Sequence, residues 1–241
     1  MASLAGQRLR LHKQVNALHK GQGFALGGAS VALPRFENVR FILTLQTEPV
    51  GGEVYVFGWH RTGGNDLFGD DPRTMIRVAA NDSPETLLEL RRELVTSLRE
   101  RLLAVHQHNQ GKDFKDQLSL QCYVFDTYEK TLLIRVLQDL LDDPEVGAAA
   151  LELFFHFQSP ELLEAQSHPD GTSFFPLIVL NKIVRDLVAL PIPITYRFTD
   201  VNHALQPEEY GSKYKESDFF AFQLSNQLEN PLFRTTNPQM F

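Results

Sequence analysis

The feature that most constrains this chain is a change of hydrophobic period near residue 82. Before it, apolar residues alternate. Val39–Gln46 is rich in β-branched and aromatic residues, and Glu53–Arg61 repeats the pattern after the turn Pro49-Val50-Gly51-Gly52. A third run, Thr74–Ala79, follows a loop over 62–72 rich in Gly, Asn and Asp. A period of two predicts strands, and the short Gly-containing turn predicts an antiparallel meander. After residue 82 the period lengthens. Asp82 or Ser83 caps a helix opened by Pro84 and Glu85, in which Leu87, Leu90, Leu94, Leu98, Leu102 and Val105 recur three or four apart. That stripe predicts a helix of about 24 residues, ended by Gly111. Leu118–Phe125 then reads as a short apolar strand and Tyr128–Leu141 as a second amphipathic helix, closed by Asp142-Asp143-Pro144.

Three antiparallel strands, a helix and a fourth strand predict an α/β fold. The fourth strand returns parallel beside the first through a right-handed crossover, as in the opening of the ribonuclease H-like mixed sheet. Beyond Pro144 the pattern is mostly helical: Val146–Phe157, Pro160–Ala165 and Ile178–Leu190, the last stopped by Pro191 and Pro193, then short helices and loops. At the other end, Leu11, Val15 and Leu18 mark a short helix that stops at Gly21 and Gly23, and Gly27–Pro34 reads as a connector. Without a core of its own this helix is expected to be poorly anchored. The reading therefore divides the chain into a basic helical lead-in (1–36), a ribonuclease H-like core (37–143) and a helical C-terminal extension packing on that core (144–241).

Composition removes several classes. With 241 residues, 43% hydrophobic and 22% charged, the chain can bury a sizeable core. The apolar run Phe174–Leu180 is far short of the ~20 residues a membrane helix needs, and residues 1–20 hold no continuous apolar segment of a secretory signal, so the expectation is a cytoplasmic protein. Cys122 is the one cysteine, which rules out an intrachain disulfide; it sits in an apolar run that suits a buried thiol. Charge is uneven. No acid precedes Glu37, whereas Arg8, Arg10, Lys13, Lys20 and Arg35 do, on a chain of net charge −7. Such a segment can neutralise phosphates, but it more often forms a solvated helix face or arm. No phosphate loop, Gly-x-Ser-x-Gly elbow or His-Glu-x-x-His helix is present. His106 and His108 lie at a helix end, where capping suits them better than a metal, and Asp66, Asp70 and Asp71 do not match a calcium loop.

The text of the strands carries a resemblance. Thr44-Leu45-Gln46-Thr47-Glu48-Pro49, then Val54-Tyr55-Val56-Phe57-Gly58, is similar to the first strand and the aromatic-Gly strand of RecB-type nucleases. Ala80-Asn81-Asp82-Ser83-Pro84-Glu85 resembles their Asp-rich helix start, and Tyr123-Val124-Phe125-Asp126-Thr127-Tyr128-Glu129-Lys130 their fourth strand running into a Tyr-Glu helix. Pro176–Leu180 and Leu190–Pro193 resemble a later region of the same proteins. Together these segments resemble the degenerate ribonuclease H-like, RecB-type exonuclease-like domain of bacterial nuclease–superfamily 1 helicase fusions.

The resemblance sets a chemical test. Two-metal phosphodiester cleavage needs several carboxylates around two cations roughly 3.5–4 Å apart. Where the family's first strand carries acids, this chain has Thr44 and Gln46, neither of which replaces a carboxylate for Mg²⁺. Possible remnants are Glu48 at the strand end, Asp126, Glu129 at the second-motif position, and Asp218 in Tyr214-Lys215-Glu216-Ser217-Asp218, with Glu129 and Asp218 the metal candidates. Trp59, Arg61, Tyr128 and Lys130 are the candidate nucleic-acid contacts, although aromatic residues at strand ends more often pack against a neighbouring domain or a core. The expected function is a catalytically degenerate, helicase-associated domain that handles DNA or RNA or serves as a scaffold, without a cofactor. Its partners would be helicase domains of the same or a companion polypeptide. Two alternatives stand beside it. One is a Mg²⁺- or Mn²⁺-dependent 3′–5′ exonuclease with a rearranged site; the other is a protein-interaction module. The abundant phenylalanines (Phe154, Phe155, Phe157, Phe174, Phe175) are expected in the core by default, with a contact surface for a larger partner as the alternative.

Overall fold

The computed structural model of the protein describes residues 4–26, 37–48, 51–158, 177–193 and 195–205. In chain order the elements are α1 (Leu4–Lys20), β1 (Phe24–Ala25), β2 (Val39–Thr47), β3 (Val54–Gly63), α2 (Asn65–Phe68), β4 (Thr74–Val78), α3 (Pro84–Asn109), β5 (Leu120–Val124), α4 (Thr127–Asp139), α5 (Gly147–Gln158), β6 (Leu177–Val179), α6 (Leu180–Leu187), β7 (Val188–Ala189) and α7 (Phe198–Leu205). They fall into two compact units. One joins residues 4–26 to 179–205; the other holds 37–158 with 177–178. This division differs from the linear one read from the sequence, because the N-terminal helix has its partners more than 170 residues away.

The larger unit is an α/β layer on a mixed five-stranded sheet, in the order β4-β3-β2-β5-β6. β2, β3 and β4 pair antiparallel, and β5 lies parallel to β2, as the order of elements predicts. The alternation in β2 explains its place at the centre. Val39, Phe41, Leu43 and Leu45 point to one face and are at most 3% exposed. Phe57 and Trp59 of β3 join that face through the register Leu45↔Phe57 and Leu43↔Trp59. The Arg101 guanidinium of α3 lies 5.4 Å from the Trp59 ring centre, which puts α3 over the same face. Its stripe of Leu87, Leu90, Leu94, Val95, Leu98 and Val105 is buried there. The other face of β2 carries Ile42, Thr44 and Gln46. Gly58, opposite Thr44, is tightly enclosed: a Cβ would meet the Met75 carbonyl at 3.0 Å and the Thr44 methyl at 3.4 Å. α5 packs against α3 and α4, so this part of the helical extension belongs to the sheet unit.

Two segments differ from the sequence reading. The loop over 62–72 contains α2, because β3 runs to Gly63 and the positive φ of Gly63 and Gly64 turns the chain at once into a helical turn. That turn lays Phe68 edge-on to Phe41, ring centres 6.2 Å apart. The helix expected over 178–190 is shortened to α6 and flanked by β6 and β7, since strand partners distant in sequence take its ends. β7 pairs antiparallel with β1, Phe24↔Ala189 and Ala25↔Val188.

That pairing builds the smaller unit and corrects the expectation of a poorly anchored N-terminal helix. Arg10 donates to the Arg185 carbonyl and to Asp186, both at 2.8 Å, and Lys13 to the Ala25 carbonyl at 2.6 Å. Gln14 donates to the carbonyls of Leu190 and Ile192 and accepts from the Tyr196 hydroxyl at 3.0 Å. No helix among the described residues is long and apolar enough to cross a membrane.

Candidate functional site

The residues singled out at the end of β2 are brought to the start of α4 by the parallel register. Leu43 stands beside Val124, the last residue of β5, so Thr44 lies beside the turn that enters α4. Asp126 is the N-cap there, accepting the Glu129 amide at 2.9 Å. Glu129 returns the bond: its Oε2 accepts the amides of Phe125 at 2.8 Å and Asp126 at 3.4 Å. This is a capping box, in which two residues three apart satisfy amides that the first helical turn leaves open. The remaining oxygen, Oε1, accepts the Thr44 hydroxyl at 2.8 Å.

Glu129 is thus held by a strand hydroxyl and two amides of its own turn. Burial raises its pKa above the usual carboxylate range; the bonds from Thr44, Phe125 and Asp126 oppose that, and the negative charge of Asp126 adds to it. Around this centre lies a polar seam. The Tyr55 hydroxyl, pushed up to about 12 by burial, donates to Gln46 at 3.4 Å. The hydroxyls of Thr47 and Tyr128 are 2.9 Å apart, and Arg135 donates to the Gly52 carbonyl at 2.6 Å. Strand end, hairpin and α4 are tied together at several points.

Glu48 does not join Glu129. Its backbone closes the β2–β3 hairpin with Glu53 and Gly52, and its carboxylate accepts the Gly51 amide. Lys130 is half-buried on α4, whereas Tyr128 is 56% exposed. Asp218, with Tyr214, lies outside the described residues. Among the described residues no group of three or more His, Cys, Asp or Glu side chains gathers as a cation site would require. Thr44 and Gln46 supply no carboxylate, and both oxygens of Glu129 accept hydrogen bonds, from Thr44 and from the amides of the turn.

Trp59 and Arg61, offered as strand-binding residues, are each 1% exposed. Trp59 packs edge-on to Phe41, ring centres 5.7 Å apart. The Arg61 guanidinium lies 4.7 Å from the Phe68 ring centre and donates to the carbonyls of Gly63 and Asp71. Both are core residues of the α3 face, and their burial withdraws them from any surface. Cys122 is fully buried, its thiol pushed up to about 12 by burial. Asp71 pairs with Arg101 at 2.7 Å, and His108 contacts Lys112 at 2.6 Å; both are local structural roles.

Sequence reasoning missed Thr47, Tyr55 and Arg135, whose partners are set by the hairpin. The capping box was detectable: Asp-x-x-Glu directly before the apolar run of α4 is a helix-start signature. No protein-family model, curated protein or solved structure matches the chain.

Proposed function

We propose that the sheet unit is a catalytically degenerate, ribonuclease H-like exonuclease domain that handles nucleic acid or serves as a scaffold beside helicase domains. The observation that carries this reading is the bond from the Thr44 hydroxyl to the Glu129 carboxylate, 2.8 Å long. At the end of the central strand, where a nuclease of this type would hold cations between carboxylates, the neutral side chain of Thr44 donates to the Glu129 carboxylate. The sheet order, with β2 and β5 parallel at its centre, agrees with such an ancestry. Tyr128, exposed beside this strand end, offers a ring on which a base can stack.

The experiment uses end-labelled single-stranded and duplex DNA and RNA, incubated with the full chain and Mg²⁺ or Mn²⁺. Glu129→Ala, Asp218→Ala and chelator controls run alongside. The expected result is no cleavage, with salt-sensitive binding that Tyr128→Ala weakens several-fold. Cleavage lost in both the variants and the chelated sample would overturn the proposal in favour of the exonuclease. Neither cleavage nor binding would overturn the nucleic-acid part of it.

A further inference from the structure

Among the described residues the sheet ends at β4, with no strand beside its outer edge. The register fixes which groups face outward. Arg61 donates to the Arg73 carbonyl and Ala79 to the Tyr55 carbonyl, so odd-numbered residues of β4 point their backbone at β3. The amides and carbonyls of Thr74, Ile76 and Val78 therefore point away from the sheet. Natural edges are often blunted by proline, lysine or a bulge, yet Thr74–Val78 contains none of these. Among the described residues its guard is Arg77, which donates to the Ile76 carbonyl at 3.2 Å and to Glu93 at 2.6 Å.

Beside this edge runs an open groove of about 390 Å³, lined by Arg77, Val78 and Ala79 on one side and by Glu85, Glu89 and Glu93 of α3 on the other. Glu85 and Glu89 are exposed, and among the described residues neither forms an ion pair. Spacing gives the groove a preferred occupant. Glu85, Glu89 and Glu93 follow one another at about 6 Å along the helix. Alternate side chains of an extended strand are separated by about 6.6 Å. A segment paired to β4 with a cation at every second position can thus set successive cations against successive carboxylates.

We propose that the β4 edge and the groove beside it bind an extended basic segment of a protein partner, which adds a strand to the sheet by backbone pairing and places alternate lysines or arginines against Glu85 and Glu89, Glu93 being paired with Arg77. The mode is β-strand addition, with affinity from the main chain and selectivity from charge. A second copy of this chain is the poorer occupant, because edge-to-edge pairing brings two rows of like charges together.

The test is fluorescence anisotropy of the full chain with a labelled peptide alternating lysine and threonine. The expected result is saturable binding, weakened at least tenfold by Ile76→Pro, which removes an outward amide and leaves the pairing with β3 intact. Glu85→Gln/Glu89→Gln is expected to weaken it at least fivefold. A peptide N-methylated along one edge tests the same pairing on the unaltered protein and is expected not to bind. No binding, or binding unchanged by N-methylation on either edge of the peptide, overturns the proposal. So does a peptide-free dimer that Ile76→Pro dissolves, which would give the edge to a second copy.

Discussion

Helices α3 and α4 begin in nearly the same way and put their first glutamates to opposite uses. Each opens with a capping side chain: Ser83 accepts the Thr86 amide at 3.2 Å, and Asp126 accepts the Glu129 amide at 2.9 Å. Each has a glutamate in the first turn. In α4 the glutamate is the third helical residue, the position from which a side chain folds back to the cap. Glu129 therefore turns inward and meets Thr44. In α3 the third residue is Thr86, whose hydroxyl accepts from Ser83 at 3.0 Å, and the glutamate stands one place earlier. Glu85 projects into solvent at the β4 groove. A shift of one residue decides whether a carboxylate closes a site or stays available to a partner.

The sharpest way to break the comparison is to put a second acid against the closed one. Thr44 is 8% exposed, and its hydroxyl is the donor to Glu129. Thr44→Asp replaces that donor with a like charge, and is expected to cost about 3 kcal/mol or more at pH 8. Much of the loss should return at pH 5, where one of the pair takes up a proton. Urea denaturation at both pH values measures this; a loss equal at both would mean that the two carboxylates do not meet. Relief by Mn²⁺ but not by K⁺ would count for the exonuclease.

Next in size is removal of Glu129 itself. Glu129→Ala removes the bonds from the Thr44 hydroxyl and the Phe125 amide in a buried place, and is expected to cost about 2–3 kcal/mol. Glu129→Gln keeps an acceptor and should fold almost as well. It also tests the sign of the pH effect. A carboxyl whose pKa is raised on folding binds its proton more tightly in the native state. Its contribution to stability thus falls as pH rises from the ordinary carboxylate value to the raised one. Glu129→Gln should flatten that segment of the stability–pH curve, and an unchanged slope would contradict the buried placement.

How much of this was legible follows the range of the interactions. The strands, α3 and α4 could be read because their signals are local: period two, period three to four, a cap, a proline at the first turn. The order of elements then led to β5 beside β2. The partners of α1 could not be read, because Gln14 finds Leu190 and Ile192 only once the chain has folded. Trp59 and Arg61 misled for a related reason. A strand-end aromatic next to an arginine looks like a binding pair until α2 and α3 cover it, and neither α2 nor the packing of Arg101 has a local signature. At the site itself, the absence of acids at Thr44 and Gln46 was plain from the sequence. The bond from Thr44 to Glu129 needed the register between β2 and β5.

Smaller effects separate the two helix starts. Ser83→Ala removes the α3 cap and is expected to cost about 1 kcal/mol, read as a lower urea midpoint with an unchanged slope. It should leave the pH dependence as it was, since Ser83 does not titrate and Glu85 is not held by it.

Least of all should change with Glu85→Ala. The side chain is exposed, and what it gives the fold is its charge near the positive end of the α3 dipole, a few tenths of a kcal/mol that salt screens. The expected loss is below about 0.5 kcal/mol in low salt and near zero in 0.5 M NaCl. Its counterpart in α4 should lose several times more and be nearly indifferent to salt, because Glu129 acts through short bonds in a buried place. A salt-independent loss above about 1 kcal/mol at Glu85 would mean that this glutamate is also fixed within the fold, and the contrast between the two helices would disappear.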